Sequence, residues 1–182
     1  MTKGIGLVLL TILSPILLIV ALAIIIDDGF PVLFRQRRTG LNNIEFWIYK
    51  FRTMKNETPD IPTHLVKEAK KYETFIGPLL RKSSIDELPQ IINVVKGEMD
   101  FIGPRPALHN QDDLKALRTE KGIHKIRPGV TGWAQVNGRD ELSIHEKVKL
   151  DEYYIKNKSF WLDMKILFMT GVQVLFHKGV SH

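Results

Sequence analysis

Ile5 to Ile26 is a run of 22 residues without a charge, and it constrains the chain more than any other feature. As an α-helix it would be about 33 Å long, enough to cross a hydrocarbon core of roughly 30 Å. Three readings compete. A secretory signal peptide would use Lys3 as its basic start and Ala21-Leu22-Ala23 as its cleavage site, but the apolar run continues through Ile24, Ile25 and Ile26. A straight transmembrane helix would put Lys3 on one side and Arg35, Arg37, Arg38, Lys50 and Arg52 on the other, a balance that places the main domain in the cytoplasm. A re-entrant hairpin would break at Ser14-Pro15, where Pro15 removes a backbone donor and Ser14 can bond the freed carbonyl. Each half, about 15 Å long, would reach mid-bilayer and return. The residues leave the last two readings open, and both anchor the protein.

The other residues, 29–182, read as one domain, with neither a repeat nor a second long apolar run. The absence of cysteine removes disulfides, thiolate catalysis and Cys-containing metal sites. Six histidines at 64, 109, 124, 145, 177 and 182 form no close ligand pair, and neither a P-loop nor G-x-G-x-x-G occurs. The net charge of +6 favours anionic partners: phosphates, lipid headgroups or nucleic acid. Val32–Arg37 and Glu45–Arg52, joined by a turn-like Thr39–Asn43, predict a β-hairpin. Helical spacing runs through Leu65, Ala69 and Tyr72, through Leu88, Ile91, Ile92 and Val95, and over Asp112–Lys121, Ser143–Lys156 and Phe160–His177. Asp27-Asp28-Gly29 reads as a turn, and Lys125–Arg139, rich in glycine, as a structured loop. The expected class is α+β, mostly helical with a small hairpin.

Chemistry concentrates in four stretches. In Ser84-Ile85-Asp86-Glu87-Leu88-Pro89-Gln90, Pro89 fits only a first helical turn, so Asp86 and Glu87 stand at a helix start. Ser84-x-x-Glu87 is itself a capping-box pattern, and acids there can merely satisfy the helix dipole. The same place also favours phosphate, and an ionised carboxylate there can attack phosphorus or bind Mg²⁺, with Arg81 and Lys82 offsetting charge repulsion. In Gly103-Pro104-Arg105-Pro106, two prolines stiffen the backbone carrying a guanidinium, which reads equally as suited to phosphate or as a solvated Arg on a rigid surface turn. In Arg127–Arg139, the glycines permit close backbone approach to a ligand, and Gln135 and Asn137 offer the donors and acceptors a nucleobase needs. Trp133 there reads as core or as a stacking surface. In Tyr49–Met54, Lys50 and Arg52 share one strand face.

Taken together, Ser14-Pro15, Tyr49–Met54, Ser84–Gln90, Lys96–Pro106, Arg127–Arg139 and Asp151–Asp163 resemble the bacterial sugar transferases, small monotopic phosphoglycosyl transferases. The resemblance implies transfer of a sugar-1-phosphate from a UDP-sugar to undecaprenyl phosphate with release of UMP, beginning glycan assembly. It implies Asp86 as nucleophile forming a covalent phosphosugar adduct, Glu87 as its partner, and Mg²⁺ beside Asp86. Lys50, Arg52, Arg81, Arg105, Arg127, Gln135, Asn137 and Arg139 become candidate substrate contacts. It selects the re-entrant hairpin over residues 1–28, broken at Ser14-Pro15, with residues 29–182 as a catalytic domain on the cytoplasmic face of the inner membrane. The implied partners are the lipid bilayer and downstream glycosyltransferases, and no nucleic acid. The loop Glu57–Ile76 is the expected seat of sugar preference. Two other readings remain: a membrane-anchored metal-dependent phosphohydrolase, with water as acceptor, and a non-enzymatic basic adaptor at the membrane surface.

Overall fold

An apolar segment facing no water must close its backbone hydrogen bonds internally, and helix does so. In the computed structural model, which describes residues 2–58, 69–138 and 141–176, the segment is one helix, α1 (Thr2–Asp28). The helical conformation passes through Pro15. The missing N–H of Pro15 would have bonded the Thr11 carbonyl, and Ser14 Oγ donates to that carbonyl instead, at 2.8 Å. The helix also includes Asp27 and Asp28, against the expectation of a turn, and ends at Gly29 in the left-handed region (φ 70°). Tertiary bonds explain the extension. Asp27 accepts from the Phe75 and Ile76 amides at 3.3 and 3.0 Å, while Asp28 is paired with Arg52.

Both ends of α1 rest on the domain. Near the start, a Cβ at the buried Gly6 would stand 3.2 Å from Val95 and 3.3 Å from Val94. Near the end, Val20 and Ile24 are buried with Phe51 and Leu80, each contributing about 2 kcal/mol of apolar burial. The rest of the helix is bare: only 11% of its apolar window is buried, and Ile12, Leu18 and Ile19 are all exposed. Such a surface is too large and too apolar for water and marks membrane contact.

The hairpin forms as expected, with β1 (Leu33–Thr39) antiparallel to β2 (Glu45–Phe51), Leu33 opposite Phe51. In chain order there follow α2 (Gly77–Lys82), a 3₁₀ turn (Ile85–Gln90), α3 (Ile91–Lys96), β3 (Asp100–Ile102), β4 (Ala107–Leu108), α4 (Asp112–Glu120), β5 (Gly129–Thr131), α5 (Trp133–Val136), α6 (Ile144–Asn157) and α7 (Phe160–Phe176). Strand β4 adds to β1, giving the order β2-β1-β4. A predicted capping box starts α6: Ser143 Oγ accepts from the Glu146 amide, and Glu146 accepts from the Ser143 amide at 2.8 Å. The predicted helix through Leu65 lies mostly outside the described residues, which hold only a short 3₁₀ turn at Ala69–Tyr72. Trp133 packs with the core cluster of Val136, Tyr154 and Ile166 that joins α5, α6 and α7.

The segment Lys125–Arg139 is not a loop throughout. Strand β5 pairs in parallel with β3, Asp100 opposite Gly129 and Ile102 opposite Thr131. The glycines are there for backbone contact rather than for a ligand. A Cβ at Gly129 would overlap the Gly103 nitrogen, one at Gly132 the Gly103 oxygen, and one at Gly103 would stand 2.7 Å from the Arg127 carbonyl. Hydrogen bonds from Gly103 N to Thr131 O and from Gly129 N to Pro104 O, both 2.9 Å, close the lock. The Pro104–Pro106 turn is thereby clamped to the Arg127–Gln135 segment.

Candidate active site

The Ile85–Gln90 turn begins at Ser84, held in the left-handed region (φ 56°). That conformation is uncommon for a residue with a side chain and recurs at functional sites. It takes Ser84 out of cap geometry, and its side chain makes no capping bond. The Ser84-x-x-Glu87 box therefore does not form. Glu87 turns instead to two cations: its Oε1 accepts from Lys50 Nζ at 2.8 Å and from Arg105 at 3.0 Å. The three side chains are largely withdrawn from water, at 12% exposure for Glu87, 17% for Lys50 and 28% for Arg105. Asp86, one residue before, is buried in the first turn.

Fixed partners aim each member. Lys50 lies on β2, and Asn93 of α3 ties that strand to the helix: its side-chain nitrogen donates to the Trp47 carbonyl at 2.7 Å and its oxygen accepts from the Tyr49 amide at 3.2 Å. Asn93 is fully buried, and nothing in its sequence neighbourhood marks it. Arg105 sits in the clamped turn, and its carbonyl accepts from Arg118 of α4 at 2.8 Å. Arg118 also donates two bonds, of 3.0 and 2.6 Å, to Asp151 Oδ2 on α6. Burial pushes the Asp151 carboxyl up from its ordinary value, and the Arg118 charge pulls it back only in part. At Lys50, burial pushes the ammonium below the usual lysine value. Glu87 opposes that shift, Arg105 adds to it, and Asp86 opposes it.

Beside the cluster opens a cavity of about 260 Å³, lined at one part by Lys82, Ser84, Glu87 and Arg105. Elsewhere its wall is mainly apolar, with Leu88, Ile91, Phe101, Val130 and Val174, and it includes Gln135. The structure thus brings together Asp86, Glu87, Lys50, Arg105 and Gln135 from four separated stretches. The other candidates stand apart. Arg52 is buried at the end of α1, bonded to Asp28 and to the carbonyls of Asp28, Gly29 and Pro31, so its charge serves the helix junction. Arg81 is held by Thr53 Oγ1 at 3.1 Å and by Glu73 at 3.3 Å. Asn137 is exposed and donates to the Trp133 carbonyl at 2.7 Å. Arg127 is on the surface, Ser14 and Pro15 are mid-α1, and Arg139 lies outside the described residues.

Among the described residues no group of three or more His, Asp or Glu could hold a metal unaided. Mg²⁺, however, is ordinarily held by one or two carboxylates together with substrate phosphates. Asp86 beside a bound diphosphate fits that pattern.

The Glu87 carboxylate with its two cations thus borders a cavity whose wall is apolar over most of its surface. The family model "Bacterial sugar transferase" matches residues 3–177. An uncharacterized sugar transferase of Bacillus subtilis, EpsL, is 44% identical over 175 residues, covering 95% of this chain and 84% of its own. The UDP-glucose:undecaprenyl-phosphate glucose-1-phosphate transferase of Xanthomonas campestris is 42% identical over 91% of this chain and 36% of its own. The UDP-N-acetylgalactosamine-undecaprenyl-phosphate N-acetylgalactosaminephosphotransferase of Aeromonas hydrophila is 40% identical over 86% of this chain and 38% of its own. The chain belongs to the bacterial sugar transferase family. It spans a little over a third of the length of the last two relatives.

Proposed function

We propose that the protein is a phosphoglycosyl transferase. It moves a sugar-1-phosphate from a UDP-sugar to undecaprenyl phosphate by way of a covalent adduct on Asp86. The observation that carries this reading is the arrangement at Glu87. Its carboxylate holds Lys50 and Arg105 converged in a partly buried site, which pre-positions two cations for a diphosphate. A capping role would have consumed Glu87 locally, and a surface adaptor would have no use for buried, converging charges.

In the first half-reaction an Asp86 oxygen forms a bond to the β-phosphorus while the bond from that phosphorus to the bridging oxygen breaks. UMP leaves with the electron pair. Lys50 and Arg105 stabilise the charge that gathers on the phosphoryl oxygens. In the second half, an oxygen of the lipid phosphate bonds to the same phosphorus, and the Asp86 carboxylate is released unchanged. Asp86 with the diphosphate would hold Mg²⁺, whose charge offsets that of the substrate. Glu87 holds the cations in register throughout. The relatives named for glucose and for N-acetylgalactosamine share the same reaction class, so sugar choice lies outside this machinery.

The acceptor is insoluble, and its phosphate stays at the headgroup plane, so the site must be held there. We read α1 as entering and leaving the membrane on one side, the cytoplasmic one. Contact of both Gly6 and Ile24 with the domain supports this, because a straight spanning helix would carry one end away across roughly 30 Å of hydrocarbon.

The experiment is mass spectrometry of enzyme quenched after UDP-sugar addition without lipid. The expected result is UMP release and a mass gain of one sugar phosphate on Asp86. Asp86→Asn should lower kcat by about 10³-fold or more with the fold intact by circular dichroism. Turnover that requires lipid before any UMP appears would overturn the adduct. Free sugar phosphate formed with water as acceptor would favour the phosphohydrolase reading.

A further inference from the structure

The carboxamide of Gln135 is out of keeping with its surroundings. Gln135 is buried, at 7% exposure, yet among the described residues neither its oxygen nor its nitrogen has a hydrogen-bond partner. Leaving a buried polar atom unpaired is costly, and here both ends of one amide lack a partner among the described residues. The polar side chains that line the cavity beside it make bonds elsewhere. Thr131 and Thr170 bond each other at 2.7 Å, and Thr170 also donates to the Ile166 carbonyl. Gln173 donates to the Val136 carbonyl at 3.0 Å. The Gln135 side chain folds back over Gly132, where a Cβ would stand 2.6 Å from its oxygen. Gln135 lines the cavity, and turning its amide toward that space would break no hydrogen bond to the described residues.

The cavity sets what the amide would meet. On the proposed reading phosphate chemistry occupies the end with Glu87 and Arg105; the rest of the wall is apolar over most of its surface, with Leu88, Ile91, Phe101, Val130 and Val174, and carries Thr131, Thr170 and Gln173 beside Gln135. A sugar carries hydroxyls around its whole rim and would leave most of them unpaired against such a wall. A pyrimidine base has two apolar faces and a single polar edge. In uracil that edge holds an N3–H donor beside a carbonyl acceptor, the complement of a carboxamide.

We propose that Gln135 reads the imide edge of the donor's uracil: its oxygen accepts from N3–H and its nitrogen donates to the adjacent carbonyl. The assignment rests on the reading of the donor as a UDP-sugar and names the part of the site that recognises the nucleotide.

The test is isothermal titration of the full chain in lipid nanodiscs with UMP and with 3-methyl-UMP, which lacks the N3 donor. Wild type should bind 3-methyl-UMP about tenfold or more weakly than UMP. Gln135→Leu should bind UMP as weakly as 3-methyl-UMP, with the latter's affinity near its wild-type value. A role in folding alone would weaken both ligands together. If Gln135→Leu does not fold, Gln135→Met is used, and the methylated ligand on wild type needs no variant. Indifference of the wild type to N3 methylation overturns the proposal, as does a wild type that binds neither nucleotide. Retained discrimination in the variant also overturns it. Failure of the transferase reading looks different: N3-dependent UMP binding with no sugar phosphate passed to lipid leaves Gln135 in its role and removes only the chemistry.

Discussion

On the proposed reading Lys50 binds phosphate as its ammonium, and its position makes that charge hard to keep. Burial lowers its pKa, and only the Glu87 and Asp86 carboxylates oppose the loss. The consequence for activity has a definite sign. If protonated Lys50 binds the diphosphate as proposed, kcat/KM should fall as pH rises through its lowered value, below the ordinary 10.5. Lys50→Arg keeps the charge to far higher pH and should extend the plateau upward, at some cost in geometry. A pH–rate profile of the two proteins checks this, and coincident alkaline limbs would remove Lys50 from the diphosphate site. Stability runs the other way. Between the folded value and that of the unfolded chain, the unfolded state binds the extra proton, so Lys50 contributes more favourably as pH rises through the window. Urea melts of wild type against Lys50→Met across that range should show the difference in slope.

Helices α4 and α6 carry a pair that sequence patterns do not reveal. Asp151 is 1% exposed and bonded twice by Arg118, which gives a third N–H to the Arg105 carbonyl. The pair thus braces the turn that presents Arg105. Asp151→Asn leaves Arg118 buried without its counter-charge and should cost about 3–5 kcal/mol in denaturant unfolding. The double change Arg118→Met with Asp151→Leu should recover most of that stability, because an apolar pair fills the site without desolvating charge. Its KM for the donor should still rise, because the Arg105 carbonyl has lost its donor. A double variant with normal KM would make the pair structural only. Elements were legible where their signal is local: the 3.6-residue spacing gave α3, α4, α6 and α7 to within a few residues, and the turn residues gave the β1–β2 hairpin. Parallel pairing of β3 with β5 was illegible, because Gly103 and Gly129 meet only in three dimensions and their glycines mimic a ligand loop. The site divided in the same way. Asp86, Glu87 and Arg105 stood out by local stiffness and charge, whereas Arg52 looked identical to Lys50 until its partners at Asp28 were known. Asn93 and Arg118 had no local signature at all.

At the scale of the molecule, the arrangement turns on where the two ends of α1 emerge. The helix is unbroken in conformation, yet Ser14 Oγ occupies the carbonyl that Pro15 leaves free, so the middle of the helix is already adapted to a bend without an exposed polar group. Its first turn lies on α3 and its last turns on Phe51 and Leu80, so the domain grips it at both ends. If both grips hold in the bilayer, Lys3 and Phe30 lie on the same side. The chain contains no cysteine, so a single introduced thiol is its only one. Phe30 is 72% exposed and Lys3 is exposed, so Lys3→Cys and Phe30→Cys place that thiol at accessible positions. In sealed inverted vesicles, a membrane-impermeant maleimide should label both from outside, and in intact spheroplasts it should label neither. A thiol at the exposed Ile16, next to the proline, should stay unlabelled in both until detergent is added. Labelling of Lys3→Cys in spheroplasts with Phe30→Cys protected would mean a spanning helix. The contacts of Gly6 with Val94 and Val95 would then have to open before the protein could enter a membrane, and α1 would hold the site at the surface by one end only.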